Sequence, residues 1–218
     1  MIKAELIQHL GNDLTVCNAA RVSFNKESLP TAEGSISDKD VKLITYLAKH
    51  NHFTPFTHPQ ITLRETVPIC VARQRYKHVI GFTYNEVSRR YVDEPPEFYW
   101  PEVWRSRPQG SVKQGSGDSI QHNLVACDKY AKLIAQAEIC YEQMLDMGVA
   151  PEMARMVLPQ SMLTSYYVTG SLAAFARMYN LRKDSHAQQE IQELAEQINQ
   201  IITPLYPVSW AALTQGAY

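Results

Sequence analysis

Gln60-Ile61-Thr62-Leu63-Arg64-Glu65-Thr66, running on into Val67-Pro68-Ile69-Cys70-Val71-Ala72, decides the fold. Residues 60–66 read as a strand. Pro68, which lacks an amide proton and fixes φ near the helical value, suits the first turn of a helix running through Ala72 toward Lys77. Upstream, residues 50–58 form a histidine-rich loop around Pro55. It is preceded by a helix that Ser37, Asp38 and Asp40 start and whose apolar face is Val41, Ile44, Leu47 and Ala48. Further back, β-prone runs at 2–9 and 14–24 flank Gly11-Asn12-Asp13, which reads as a hairpin turn. Downstream, residues 95–118 read as an irregular loop rich in Pro and Gly, with Gln109–Ser119 its most mobile stretch. Apolar residues from Ile120 to Met144 then recur at helical spacing up to Gly148. Residues 162–169 are β-prone, and helices at about 171–181 and 186–202 precede Pro204 and Pro207. Strands and helices mix without strict βαβ alternation. The expectation is an α+β fold: a single domain over residues 1–218 with a largely antiparallel sheet flanked by helices.

The 218 residues are 45% hydrophobic and 20% charged, enough for one sizeable core and too apolar for a disordered chain. No apolar run reaches the ~18 residues of a membrane span. Met1-Ile2-Lys3-Ala4-Glu5 carries no secretory or transit pattern, so a cytoplasmic protein is expected. Cys17, Cys70, Cys127 and Cys140 lack zinc-ligand or disulfide-framework spacing. With 21 Lys+Arg against 22 Asp+Glu, the whole chain has no field to hold duplex nucleic acid, and an anion must be met by a local cluster. No glycine-rich dinucleotide or P-loop motif occurs.

One such cluster lies between Val71 and Tyr91, where Arg73, Arg75, Lys77, Arg89 and Arg90 face a single acid, Glu86. Guanidinium forks and the Ser88 hydroxyl suit phosphate oxygens, and Asn85 and Glu86 suit a base or ribose edge; a solvated basic face is the alternative. Helical spacing would put Gln74, Lys77 and His78 on one side. Ser88 lacks a neighbouring general base, so its hydroxyl reads as a ligand contact, not a nucleophile. His50, His52 and His58 lack the helical pairing of a metal site. Arg155 stands in an apolar setting that calls for an anionic partner. Arg182, Ser185 and His186 lie between two helices, either as an anion site or as a cap cation followed by an N-cap Ser185. Tyr76, Phe82 and Tyr84 beside the cations leave single-stranded nucleic acid as a further reading.

These segments together resemble the flavin-dependent thymidylate synthases. The likeness runs from Ala19-Ala20-Arg21-Val22-Ser23 through Phe53–His58, Ala72-Arg73-Gln74, Asn85–Tyr91 and Ala154–Pro159 to Leu181–Gln188. The resemblance implies an FAD enzyme that oxidises NADPH and carries a one-carbon unit from methylenetetrahydrofolate to C5 of dUMP. It implies a homotetramer with FAD where subunits meet, and no nucleic-acid or membrane partner. On that likeness Ser23, His58, Lys77, His78, Asn85, Glu86 and His186 contact FAD. Gln74, Glu86, Ser88, Arg89, Arg90, Arg155 and Arg182 hold dUMP, with Arg182 and Ser88 the catalytic pair and no metal. Arg182 would polarise the uracil ring. The family's Arg-His-Arg is here Lys77-His78-Val79, one residue further from the serine, and Ser171 and Ala173 stand where Asn and Arg are frequent. Arg75 or Arg177 is expected to compensate. Two other readings use the same residues: a non-catalytic nucleotide-binding relative, and a flavin-dependent pyrimidine nucleotide hydroxymethylase.

Overall fold

Four antiparallel strands form the sheet: β1 (Lys3–Leu10), β2 (Gln60–Pro68), β3 (Phe82–Glu86) and β4 (Leu163–Ser171), in the order β1-β2-β4-β3. A computed structural model describes residues 1–32, 34–91, 94–108 and 115–215. The eight helices among them are α1 (Asp13–Arg21), α2 (Asp38–Lys49), α3 (Ile69–Arg75), α4 (Asn123–Asp146), α5 (Pro151–Ala154), α6 (Leu172–Arg182), α7 (Gln189–Ile202) and α8 (Pro207–Thr214). The α+β expectation holds. Residues 109–114 of the stretch expected to be most mobile lie outside the described residues. Its remainder bridges back to residues 105–106 through Arg105 paired with Ser119 and Ser106 N–H donating to Asp118 O.

Residues 14–24 are not the second strand of a hairpin. Asn12 caps α1 instead: Thr15 N–H donates to Asn12 Oδ1 (3.2 Å) and Asn12 N–H donates to Thr15 Oγ1 (3.1 Å). This reciprocal cap satisfies two amide groups that a helix start leaves open. Gly11 permits the turn, since its φ is +82° and an added Cβ would meet Thr15 Oγ1 at 2.8 Å. A further helix follows the two expected last: α8 begins at Pro207, which occupies its first turn rather than closing the fold.

Helices cover one face of the sheet. Ile61, Leu63 and Val67 of β2 and Val168 of β4 meet Ile44 of α2, Phe175 of α6, Ile191, Leu194 and Ile198 of α7 and Trp210 of α8, all buried. Each such side chain stabilises the fold by roughly 1.5–3 kcal/mol. The opposite face carries Thr62, Arg64, Thr66, Ser165, Tyr167 and Thr169, joined by Thr62–Thr169 (2.9 Å) and Arg64 Nε–Ser165 (3.0 Å) hydrogen bonds.

Two junctions position the functional residues. Pro68 ends β2 and is the N-cap of α3, one place before the expected first helical position. Ser171 ends β4 and caps α6, its Oγ accepting from Ala174 N–H at 3.2 Å. With no loop at either junction, the position of each helix is set by its strand. The far ends of α3 and α6 then meet.

Asp40 locks the 28–37 segment to the first two helices. Buried at 2% exposure, it accepts from Ser28 Oγ (2.6 Å), Ser37 Oγ (2.7 Å) and Arg21 Nη2 (2.7 Å). Burial alone would raise its pKa; the hydrogen bonds from Ser28, Ser37 and Arg21 outweigh that and lower it to about 2. A carboxylate with a depressed folded pKa adds stability that is complete above its unfolded value near 3.8 and is lost as pH falls toward 2. The unfolding free energy from urea titrations should therefore fall between pH 5 and 2.5 by about 2 kcal/mol more in the wild type than in Asp40→Asn. Equal pH dependence in the two proteins would contradict this.

Candidate active site

The C-terminal ends of α3 and α6 bring Gln74, His78 and Arg182 together. Arg182 Nε donates to His78 Nε2 at 2.8 Å, and its Nη2 donates to the Gln74 carbonyl at 3.4 Å. The helix stops at Arg75, so Gln74, Lys77 and His78 do not share a helical face as expected. The turn after α3 buries His78 and leaves Lys77 exposed. Burial, reinforced by the positive charges of Arg182, Arg75 and Arg177, lowers the His78 pKa to about 4. The ring is therefore neutral at physiological pH, with its proton on Nδ1 and Nε2 free to accept from Arg182. An NMR titration of the His78 ring should find a midpoint near pH 4, and a midpoint above 6 would refute the buried acceptor. Because the folded pKa lies below the unfolded 6.5, the stability contributed by neutral His78 is lost as pH falls from 6.5 toward 4.

A buried ion pair sets this turn. Arg75 and Glu65 are both 0% exposed; Arg75 Nε and Nη2 donate to Glu65 at 3.0 and 3.1 Å, and Tyr166 donates to the same carboxylate at 2.6 Å. Arg75 Nη1 donates to Tyr84 (2.7 Å), whose hydroxyl in turn donates to the His78 carbonyl (2.8 Å). The guanidinium also lies over Phe82, 4.4 Å from the ring centroid. Arg75 is thus committed to the core and not free to replace a lost flavin contact. Tyr76, Tyr84 and Phe82 stack around it and Tyr166 rather than forming a platform for bases. Arg177 is exposed and donates to the Ile80 carbonyl.

Gln74, Arg182 and His186 line a cleft of about 680 Å³ with Asn180, Asp184 and Gln188. Ser185 is not an N-cap: α7 begins at Gln189, and Asp184 instead accepts from the backbone and ring of His186, both at 2.8 Å. Asn180 and Leu181 are shared with an apolar slot of about 520 Å³, formed by Phe53, Phe56, Ala173 and Arg177 among others. Asn180 Oδ1 is buried with no hydrogen-bond partner among the described residues.

The other predicted residues gather elsewhere. Glu86, Ser88, Arg89 and Arg155 line a second cleft, of about 690 Å³, which among the described residues shares no lining residue with the Arg182 cleft. Ser88 Oγ accepts from Arg90 Nε at 3.2 Å, and Glu86 accepts from Thr164 at 2.6 Å. Arg89 is tied to the Glu94 and Pro95 carbonyls. Arg155 is exposed and meets the Glu152 carbonyl (3.2 Å), not the anionic partner expected of it. Asn85 is exposed on β3. Ser23, in a 3-10 turn after α1, and His58 are also exposed and line neither cleft. His50 and His52 stack against Tyr46, and among the described residues no three His, Cys, Asp or Glu side chains gather as a metal site would require.

Sequence reasoning missed a third group. Arg105 Nη2 donates to Glu190 (2.6 Å), Gln188 Nε2 donates to the same carboxylate (2.8 Å), and Gln74 Nε2 donates to Gln188 Oε1. No spacing signal links Arg105 to an acid 85 positions away.

Residues 5–208 match the model of the family described as thymidylate synthase complementing protein. The chain is 39% identical over 214 residues to the flavin-dependent thymidylate synthase of Thermosipho africanus, and 36% identical over 214 residues to that of Thermotoga neapolitana. Both alignments cover 98% of this chain and 91% of the relative. Among solved structures it superposes on the UMP/dUMP methylase PolB from Streptomyces cacaoi bound with 5-Br dUMP. There the TM-score is 0.84 at 30% identity, over 99% of this chain and 95% of the other. A second structure of PolB, bound with 5-Br UMP, matches equally well. With the family model and full-length relatives in agreement, the chain belongs to the thymidylate synthase complementing protein family, that of the flavin-dependent thymidylate synthases.

Proposed function

We propose that this protein is a cytoplasmic, FAD-dependent thymidylate synthase that methylates dUMP to dTMP, taking its carbon from methylenetetrahydrofolate and its reducing equivalents from NADPH. The observation that carries this reading is Arg182, a half-buried cation aimed by a neutral histidine at the end of a helix fixed directly to the sheet. Burial and the nearby Arg75 draw its pKa down, yet an arginine keeps its charge. A preorganised donor of this kind stabilises negative charge on the uracil carbonyls as C5 becomes nucleophilic. Ser88, Arg90 and Arg155 supply hydroxyl and guanidinium donors suited to the phosphate.

The residues around Arg182 fit a flavin. The apolar slot continuous with the cleft suits a planar ring, and the partnerless Asn180 Oδ1 suits a ring N–H. Ala173 leaves the slot open, and Ser171, spent as a helix cap, is not a ligand group. Asn180, Arg177 and His186 would hold FAD, which when bound supplies the two-electron chemistry that no side chain here offers. One nucleotide needs both its phosphate and its base held, and the two clefts share no lining residue among the described residues, which supports a site completed between subunits, the Ser88 cleft of one beside the Arg182 cleft of another. A homotetramer provides that pairing.

The test is the visible spectrum of the purified protein with FAD, before and after anaerobic NADPH, followed by mass spectrometry of the product from dUMP. Flavin bleaching and dTMP formation are expected. A folded protein that takes up no FAD and makes no dTMP refutes the reading. PolB acts on UMP as well as dUMP by its description, which favours UMP as a second substrate; the same assay with UMP decides it.

A further inference from the structure

We infer that Arg105 and Glu190 are positioning residues that fix the polarity of the Gln74 amide, and through it the site's selection of uracil over cytosine; this rests on the function proposed above. An amide side chain can be turned end for end, exchanging its donor and acceptor. A carboxylate can only accept. Glu190 is 6% exposed, held by Arg105 at 2.6 Å, and burial is outweighed by hydrogen bonds from Arg105 and Gln188 that keep its carboxyl below the usual range. It stays ionised at neutral pH, so Gln188 must direct its NH2 toward it, at 2.8 Å. The Gln188 carbonyl then faces Gln74, which must answer with its own NH2. The remaining Gln74 N–H points back at the Cys70 carbonyl (3.5 Å). Gln74 Oε1 is left with no protein partner among the described residues, and Gln74 and Arg182 line the same cleft.

The cleft therefore offers a donor, Arg182, beside an acceptor, Gln74 Oε1. That pair complements the imide edge of uracil, where a carbonyl stands next to N3–H. Cytosine carries a lone pair at N3 and would set it against the Gln74 carbonyl. A site built around a fixed hydrogen bond rejects a ligand that leaves it unmade more strongly than an apolar pocket rejects a change in size. The relay also gives the 95–118 insertion a part in the site, since Arg105 lies within it and is braced by Ser116 at 2.7 Å.

Binding of dUMP and dCMP to the full-length protein is to be compared in the wild type, Glu190→Gln and Glu190→Asp. Glutamine at 190 can donate or accept, so the relay loses its direction; the preference for dUMP over dCMP should narrow by roughly tenfold or more. Aspartate keeps an acceptor-only group and should restore much of it. A merely structural role would weaken both ligands alike, and an unchanged ratio in Glu190→Gln overturns the inference. If that variant does not fold, Gln188→Leu replaces it, with the same narrowing required and an unchanged ratio again fatal. A folded wild type that binds neither nucleotide would overturn the proposed function as well. Tight dUMP binding with an unaltered ratio in the variants would remove the relay alone.

Discussion

Replacing Arg182 with alanine is expected to lower dTMP formation by about 10²–10³-fold at saturating substrate, the cost of removing one preorganised donor from a site where charge develops. The loss should fall on kcat more than KM, because the guanidinium is proposed to act on charge that appears as C5 becomes nucleophilic. Lysine should not rescue it. A single ammonium cannot donate to His78 Nε2 and also offer a second, fixed N–H to the base, whereas the guanidinium fork does both. The residue lies at the end of α6 and is half-buried, so the fold should survive, and circular dichroism separates loss of chemistry from loss of structure. Turnover within threefold of wild type would remove Arg182 from the chemistry.

Arg75→Ala should be strongly destabilising. It strands the Glu65 carboxylate, which lies at 0% exposure, and breaking a buried pair from one side costs about 3–5 kcal/mol. For a protein of this size the unfolding temperature should drop by about 10 °C. The damage should also reach the site, since Arg75 holds Tyr84 and Tyr84 holds the turn that carries His78. A double variant, Glu65→Leu with Arg75→Met, should recover much of the stability, because it removes the stranded charge along with its partner. The recovery will be partial: Tyr166 donates to Glu65 and would lose that acceptor. A drop of less than 2 °C in Arg75→Ala would show that the pair is not structural.

How much of this was legible in the sequence depends on whether a feature is local. Pro68 and Ser37 mark real helix starts because a missing amide proton or a capping hydroxyl acts within one turn. Gly11-Asn12-Asp13 was legible as a turn but not as to kind: the same residues serve a hairpin or a helix start, and only Thr15, bonding back to Asn12, separates them. β3 is five residues long, sits at a sheet edge and lies inside a segment read for its charges, so no strand was read there. Arg75 shows the limit most plainly. Its neighbours in the sequence are cationic, and nothing in that segment says that it alone turns inward to Glu65 on another element. The grouping of Gln74 and Arg182 came only from the family likeness, and the Arg105–Glu190–Gln188 chain that supports it came from neither source.

The strand order also governs how the chain is made. β2 pairs with β1 early in synthesis, but its other neighbour is β4, and the core contact between Glu65 and Tyr166 joins residues 101 positions apart. At ribosomal rates of about 5–20 residues per second, the open edge of β2 waits roughly 5–20 s for its partner to emerge. During that interval Ile61, Leu63 and Val67 have neither β4 nor the helices α6 and α7 above them. An unpaired strand edge with an uncovered apolar face is the species that aggregates. Cooler expression with chaperones present should therefore raise soluble yield by protecting that exposed intermediate, with no change in the stability of the finished fold.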